Sequence, residues 1–536
     1  MTKHTLYTLL VGALLLLVGC SPKAEVPSQF TETGTEVNIY PDYKHIVVPP
    51  NIAPLNFLIH DSTATAYVVH FKGKGQELLA SATSKAVVKL DIAEWKTLLQ
   101  TTAGSDVEVD VYAKRADGWV HFNPYKITVA EEPIDSFLSY RLIEPGYELY
   151  RQLGIYQRNL TNFEETAIYE NNREYDDANN HCVNCHNYRM GNTESMLFHV
   201  RSNHGGTIIV QNGKASKIQL KDSTILTSGV YPSWHPTDDL VCFSTNVTGQ
   251  AFHLYYPEKI EVLDAQSDLL LYDVEQNEVG HILRTTDELE TFPCWSPDGR
   301  TLYYCSAQVN HLLDPSIPDS LVNRQLMLKY DSIKYNLMCI DFDPATRSFG
   351  RPKMVVNASE EGTSISVPRV SPDGRYVMYA KGDYGQFHIW HKSSDLWVRD
   401  LEKDSCYVLD EANSPDVDSF HSWSTNSRWF VFSSRRMDGN YTRPFIAYFD
   451  EQGQAHKAFV LPQEDPEWNI LFLKSYNVPE LSRNAVGISQ KELHQCIYGG
   501  DGEKATYKAN PTAIVRLDGM TGASPKAKSD KDTEQE

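Results

Sequence analysis

The sequence predicts a mostly β chain with three parts: a small N-terminal β-sandwich, a short helical connector and a longer repetitive β region. Apolar residues alternate with polar ones in many short segments, which is typical of half-buried strands. Tyrosine is abundant, at 30 residues, and only 22% of the chain is charged, as expected for strand-rich domains. We assign residues 38–130 to the sandwich, 131–195 to the connector and 196–520 to the repetitive region.

The sandwich prediction rests on short strand patterns, among them residues 56–60, 66–71 and 86–90, and on one hairpin signal. Residues 107–112 alternate strictly, 116–118 form an Ala-Asp-Gly turn, and 119–122 run back as a second strand. Residues 92–100 have the spacing of a short helix. The following 131–180 segment has helical spacing in pieces and is rich in Tyr and Arg, so we predict that it leads helically into a cysteine motif.

Four segments of the repetitive region share one layout, in which an apolar residue precedes a short turn and a strand follows. Two of them contain the turn Ser-Pro-Asp-Gly, where Pro sets φ and Gly takes the left-handed position. A Trp before the turn suits packing between neighbouring sheets. The segments span residues 231–238, 292–299, 367–374 and 420–427.

These segments resemble the TolB-type (WD40-like) β-propeller repeat. The resemblance implies a propeller in which each repeat is one blade. Equivalent positions are separated by 61, 75 and 53 residues. A blade takes roughly 40–50 residues, so these blades carry long loops. We expect about six blades, with five or seven left open.

The N-terminus has the pattern of a secretory signal. Residues 6–18 form an apolar run that is too short to span a bilayer. The run ends in Leu17-Val18-Gly19-Cys20, which resembles the lipobox of bacterial lipoproteins. This resemblance implies that residues 1–20 are a signal peptide and that Cys20 is lipidated; an ordinary signal peptide with a chance cysteine is the alternative. Residues 21–37 are predicted to be a polar tether.

Composition and the residues near Cys20 limit the location and the partners. Ser21 stands where Asp would retain an inner-membrane lipoprotein, so by resemblance the chain is expected on the outer membrane, facing the periplasm. The net charge of -21 argues against nucleic acid as a partner. The membrane, through the lipid anchor, and an envelope protein or redox partner are the expected contacts. The charged tail 521–536 is predicted to be disordered.

Cys182-Val183-Asn184-Cys185-His186 matches the C-x-x-C-H pattern of covalent haem attachment. Two thiols at this spacing can form thioethers with one haem, and the imidazole of His186 can then ligate the iron. An exported chain agrees with this chemistry, so we predict one covalent haem c. The alternatives are a structural or redox-active cysteine pair and, because no second Cys pair follows, less favourably a zinc site.

The sixth ligand of the predicted haem iron is expected just downstream of the motif. We favour His199, followed by His204 and Met190. A Met ligand would raise the potential and a second His would lower it. Each of the three residues could equally be a packing or surface residue.

The whole chain resembles exported lipoproteins that join a small β domain, one Cys-x-Asn-Cys-His site and a TolB-like propeller. We expect an electron-transfer or redox-sensing protein; the alternative is a protein-binding scaffold of the envelope with a structural Cys pair. The sequence contains neither a Gly-x-Ser-x-Gly elbow nor a phosphate-binding loop of the G-x-x-x-x-G-K-[ST] type. We therefore assign no catalytic residues, and an enzyme is the least favoured hypothesis.

Overall fold

The computed structural model describes residues 24–144, 152–171, 181–253, 255–256, 258–314, 316–318 and 321–516. The predicted signal peptide, the lipidation site at Cys20 and the predicted tail lie outside these residues. Within them, no helix is both long and apolar enough to cross a membrane.

The N-terminal domain consists of two sheets, of seven and three strands, with one helix. Buried side chains of both sheets and of the helix belong to the same apolar core. The elements are β1 (Thr31–Glu36), β2 (Ile39–Tyr40), β3 (Val47–Val48), β4 (Phe57–Ile59), β5 (Ala66–Lys72), β6 (Glu77–Thr83), β7 (Val87–Val88), α1 (Ile92–Thr102), β8 (Ser105–Arg115), β9 (Gly118–Asn123) and β10 (Tyr125–Val129).

The predicted hairpin and helix of this domain are confirmed. Strands β8 and β9 pair antiparallel around the predicted turn. Helix α1 begins where the Asp91 side chain accepts hydrogen bonds from the Ala93 and Glu94 N–H groups, which satisfies two free backbone donors. The predicted tether is too long, because β1 lies within it and pairs parallel to β9. Most of β1 is exposed, so no apolar alternation marks it in the sequence.

The remaining strands form six sheets of four to six strands in the described residues. In chain order the strands are β11 (Phe137–Ile143), β12 (Leu153–Asn159), β13 (Glu165–Glu170), β14 (His181–Arg189), β15 (Asn192–Ser202), β16 (Gly206–Gln211), β17 (Lys214–Gln219), β18 (Val230–Trp234), β19 (Leu240–Phe252), β20 (Ile260–Asp273), β21 (Glu278–Thr285), β22 (Glu288–Trp295), β23 (Thr301–Gln308), β24 (Asn336–Asp343), β25 (Ser348–Phe349), β26 (Lys353–Val356), β27 (Ser364–Val370), β28 (Tyr376–Gly382), β29 (Asp395–Asp400), β30 (Ser405–Val408), β31 (Asp418–Trp423), β32 (Trp429–Ser434), β33 (Arg443–Tyr448), β34 (Phe459–Val460), β35 (Ser475–Ser482), β36 (Glu503–Lys504), β37 (Thr506–Tyr507) and β38 (Ile514–Arg516). Three short helices accompany them: α2 (Val322–Leu328), α3 (Trp468–Leu471) and α4 (Gln490–Tyr498).

The six sheets form a β-propeller, as predicted. Each sheet has one innermost strand, called here its first strand: β14, β18, β22, β27, β31 and β35. These first strands contact one another in succession, and β35 contacts β14 to complete the ring. The C-terminal strands β36, β37 and β38 add to the outer edges of the sheets that begin with β14 and β18.

The predicted helical connector over 131–195 is wrong. Its described residues form β11, β12, β13, β14 and the start of β15, so the propeller begins well before residue 196. Strand β11 pairs with β12 on one side and with β35 on the other. Because β35 lies more than 300 residues further along the chain, no local pattern indicates this pairing.

Candidate functional site

The Cys182–His186 motif lies on β14, a first strand of the propeller, and it carries a bulge that all six first strands share. In every case a non-glycine residue has φ near +50°, the ladder register shifts there, and the next residue is Pro or His. The six residues are Cys185, Tyr231, Phe292, Val367, Phe420 and Val478. The Cys185-His186 pair is therefore one copy of a repeated backbone feature.

The equivalence extends past the bulge, through hydrogen bonds that link neighbouring first strands. In three of the six sheets, the residue two positions after the bulge residue has a side-chain oxygen that accepts a hydrogen bond. The donor is a backbone N–H on the first strand of the next sheet. The three bonds run from Trp295 N to Ser233 Oγ at 3.1 Å, from Leu481 N to Ser422 Oγ at 3.1 Å and from Tyr188 N to Glu480 Oε1 at 3.0 Å. Tyr188 thus occupies the position of Trp295 and Leu481.

Two copies of the repeat escaped sequence analysis, at residues 185–192 and 478–485. Neither contains the Ser-Pro-Asp-Gly turn that two of the four recognised copies carry. The sequence signal that identifies these two copies is the pair of residues at the bulge. Val478-Pro479 has the same form as Tyr231-Pro232, and Cys185-His186 has the same form as Phe420-His421.

The two thiols of the motif have different surroundings. Cys182 belongs to the same buried apolar cluster as Leu153 and Ile155 of the preceding sheet, and its Sγ accepts a hydrogen bond from Arg141 Nη2 at 3.7 Å. Cys185 lies near Tyr231 of the following sheet. The pKa of the Tyr231 phenol is raised, mainly by burial and further by Asp264 and Cys185. Both thiols are buried and free.

His186 has the same role as the histidine at the equivalent bulge. It hydrogen-bonds the backbone of Ser139 on β11, and His421 bonds the Met378 carbonyl on β28 at 3.0 Å. Both partners lie on the second strand of the preceding sheet. Burial and the nearby Arg141 guanidinium lower the pKa of His186 to about 4, so the ring is neutral at pH 7. Its buried Nε2 has no hydrogen-bond partner among the described residues.

The three candidates for a distal haem ligand have different surroundings. His199, on β15 opposite Asn184, is buried, and burial lowers its pKa to about 3. The His204 ring lies 4.2 Å from that of Tyr498. Met190 is 38% exposed and follows β14 at its other end. In the described part of the chain, no three His, Cys, Asp or Glu side chains are grouped so that they could hold a metal ion.

This arrangement does not fit a covalent haem at the motif. A haem needs both thiols at one edge of its ring and the imidazole beneath the iron. Here Cys182 contacts one neighbouring sheet, Cys185 lies near the other, and His186 is bonded to Ser139. The neutral ring with an open Nε2 is the one feature that suits an iron ligand. Attachment would require β14 to leave its ladder with β15.

A second group of buried polar residues lies at the end of the propeller where the first strands begin. The Glu261 carboxylate on β20 accepts a hydrogen bond from Tyr384 Oη at 2.6 Å and bonds His391 Nε2 at 3.0 Å. Tyr384 and His391 belong to the connection between β28 and β29. The His391 Nδ1 atom is buried and has no partner among the described residues. This group ties two non-adjacent sheets together.

Asp264 lies close to this group on β20 and is almost fully buried. One carboxylate oxygen accepts from Asn246 Nδ2 at 3.0 Å and from Tyr335 Oη at 3.4 Å. Burial raises its pKa to about 7, and the two hydrogen bonds oppose the shift only in part. The folded chain therefore holds a proton on Asp264 well above the pH at which the unfolded chain releases it.

We expect Asp264→Asn to remove a pH dependence of stability. Between about pH 4 and 7 the folded wild type binds more protons than the unfolded chain, so its free energy of unfolding falls as the pH rises, by about 1.4 kcal/mol per unit for this group. The variant lacks this loss, so its stability relative to wild type should rise from pH 5 to pH 8. Urea unfolding at several pH values measures the difference. Parallel profiles for the two proteins would contradict the prediction.

Comparisons with known proteins identify no family for this chain. No family model matches the chain, and no curated protein matches it. Among solved structures, an oligogalacturonate lyase in complex with manganese is 12% identical, with a TM-score of 0.33, and the match covers 61% of this chain and 74% of the other. Prolyl oligopeptidase B from Galerina marginata is also 12% identical, with a TM-score of 0.35, and the match covers 66% of this chain and 43% of that one. The chain thus spans less than half of that peptidase.

Proposed function

We propose that the chain is an exported, membrane-anchored β-propeller that serves as a non-enzymatic binding scaffold in the cell envelope. One observation carries the choice of scaffold over cytochrome. The Cys182–His186 segment repeats a bulge found on every first strand, and this gives its residues a structural role in the propeller. The partner is expected to be a protein of the envelope.

The buried polar groups support a scaffold because they are used to join sheets. His186, His421, Ser233, Ser422 and Glu480 each bond a neighbouring sheet. Side chains committed in this way are poorly placed to bind and transform a substrate. They do hold the sheets in a fixed relation, which suits a rigid binding surface.

The proposed location rests on the N-terminal sequence. Leu17-Val18-Gly19-Cys20 suits lipidation at Cys20, and Ser21 favours the outer membrane with the propeller in the periplasm. Several acyl chains on one cysteine would hold the chain durably, because each buried methylene contributes about 0.8 kcal/mol.

Haem c, with electron transfer or redox sensing, stays a prediction of the motif, and a pyridine haemochrome spectrum tests it. The full chain is expressed together with cytochrome c maturation proteins, beside the variants Cys185→Ala and Cys406→Ala. Cys406 is exposed and outside the motif, so it controls for a general loss of a thiol. We expect all three proteins to be folded and free of covalent haem.

A covalent haem signal in the wild type and in Cys406→Ala, lost in Cys185→Ala, would overturn the scaffold proposal. The chain would then be a monohaem cytochrome. It would also follow that β14 adopts another conformation once haem is attached.

A further inference from the structure

Exposed apolar side chains are concentrated in three connections of the propeller. Of seventeen large apolar residues that are exposed in the described chain, ten lie in the connections from β19 to β20, from β23 to β24 and from β34 to β35 or at their borders. They are Phe252, Tyr255, Tyr256, Leu321, Met327, Leu328, Trp468, Ile470, Leu471 and Leu473. Exposed apolar residues scattered singly need no explanation, whereas grouped ones indicate a contact surface.

All three connections emerge at the same end of the propeller. Strands within each sheet are antiparallel and run outward in order from the first strand. Connections from a second to a third strand, and from a fourth strand to the next first strand, therefore return to the end where the first strands begin. Glu261 and His391 mark the same end. One end of the propeller thus carries ten of the seventeen exposed large apolar side chains in the described residues.

The connection from β34 to β35 contains the densest part of this surface, residues 468–473, called here the apolar loop. Its sequence is Trp-Asn-Ile-Leu-Phe-Leu. Ile470 is 55% exposed, Leu471 69% and Leu473 57%. Nothing in the described chain covers these three side chains.

A buried arginine holds the apolar loop in one shape. The Arg443 side chain is fully buried, and it donates hydrogen bonds to the carbonyl oxygens of Asn469, Phe472 and Lys474 at 2.6–3.3 Å. The Trp468 ring stacks on that of Phe472, with centroids 4.8 Å apart. Burying a guanidinium is costly, as the lowered pKa of Arg443 indicates, and here the burial serves to order an exposed loop. The loop is therefore preorganised for contact rather than loosely exposed.

We infer that the apolar loop inserts into the interfacial region of a lipid bilayer. Trp, Leu, Ile and Phe at a rigid tip suit this region, where aromatic rings sit at the level of the headgroups. The inference rests on the proposed membrane anchoring. Eleven Cα-to-Cα steps lead from Cys20 to Thr31, where β1 begins. Even fully extended they reach no more than about 40 Å, so the anchor keeps the folded part close to the membrane.

The charged residues beside the apolar loop determine which lipid headgroups the loop is expected to prefer. Glu464, Asp465 and Glu467 precede it, and Lys474, which follows, is paired with Glu144. Three carboxylates without a basic excess oppose an anionic surface. The loop should therefore prefer zwitterionic lipid, and salt should restore its insertion where anionic lipid weakens it. A basic membrane-binding segment would show the opposite dependence.

A fluorescent label on the loop tests the inference in the full, lipidated chain. In a Cys406→Ser background, Leu471→Cys is labelled with the environment-sensitive dye NBD and mixed with phosphatidylcholine vesicles. Leu79→Cys, at a 37% exposed site on the N-terminal domain, is the matched control, and the background protein reports labelling of other thiols. We expect a blue shift, and quenching by brominated lipid, at 471 but not at 79. Added phosphatidylglycerol should reduce both effects, and salt should recover them.

The outcomes separate the loop from the anchor, because flotation with the vesicles is measured in parallel. A chain that floats while the label at 471 reports water would overturn the inference and leave the anchor in place. A chain that neither floats nor shows a shift at 471 would contradict the anchor and the inference together. A shift that depends on protein concentration without lipid would identify a second copy of the chain as the occupant and overturn the inference.

Discussion

Val200→Pro is expected to lower the free energy of unfolding by about 3 kcal/mol or more, whereas His186→Pro should cost about 1 kcal/mol. Val200 lies on β15, paired with both β14 and β16, so proline there removes a ladder hydrogen bond whichever neighbour receives it. His186 stands at the second bulge position. Four of its equivalents are already proline: Pro232, Pro293, Pro368 and Pro479.

Urea unfolding of the two variants beside the wild type makes the comparison. The small expected cost of His186→Pro is the lost hydrogen bond to the Ser139 backbone. Equal, large losses of stability in both variants would show that β14 is not equivalent to the other first strands. The scaffold proposal would then lose its main support, independently of any haem measurement.

Arg443→Met should lower the free energy of unfolding by about 3 kcal/mol. Methionine fills much of the same space but leaves the carbonyl oxygens of Asn469, Phe472 and Lys474 without their donor, and each buried unpaired group costs about 1–3 kcal/mol. Water that enters the opened loop offsets part of this cost. Trypsin should also cut the variant faster after Lys474, because the loop is no longer held.

Arg428→Met is the matched control for this variant. Arg428 lies in the turn between β31 and β32. Its side chain makes one long hydrogen bond, to the Phe449 carbonyl at 3.5 Å, and one long ion pair, with Asp373 at 4.0 Å, so its loss should cost about 1 kcal/mol or less. Chemical unfolding and limited proteolysis of both variants give the comparison. If the two lose the same stability and are cut at the same rate, Arg443 does not order the loop.

Local patterns in the sequence are sufficient to predict a strand where the strand has one buried face and a turn with characteristic residues beside it. The hairpin of β8 and β9 alternates cleanly, and the four recognised repeats carry Trp, Pro or Gly at fixed places. Strand β1 has no such pattern, because both of its faces are largely exposed. The segment that forms β11, β12 and β13 was predicted to be helical. Of these strands, β11 pairs with β35, which is distant in the sequence and therefore leaves no local signal.

The cysteine motif is a short pattern that suits more than one structure. Cys182-Val183-Asn184-Cys185-His186 is the same five residues whether it forms a haem site or a bulged strand. Only the alignment of Cys185-His186 with Phe420-His421 indicates the second possibility, and that alignment depends on knowing where the first strands lie. His199 and His204 were proposed from sequence distance alone, and their different surroundings reflect the register of β15 and the position of α4.

The sheet that contains β11, β12, β13 and β35 sets an order for folding. Ribosomes make the chain from its N-terminus, so the three outer strands of this sheet exist long before Ser482, the last residue of β35, is added. Until then the inner edge of β11 is an open row of backbone donors and acceptors, a known route to mispairing. The ring can close only after almost all other blades have been made. A chain that ends before β35 should therefore remain an open arc and aggregate. A chain that ends after β38 should close the ring and stay free of aggregation.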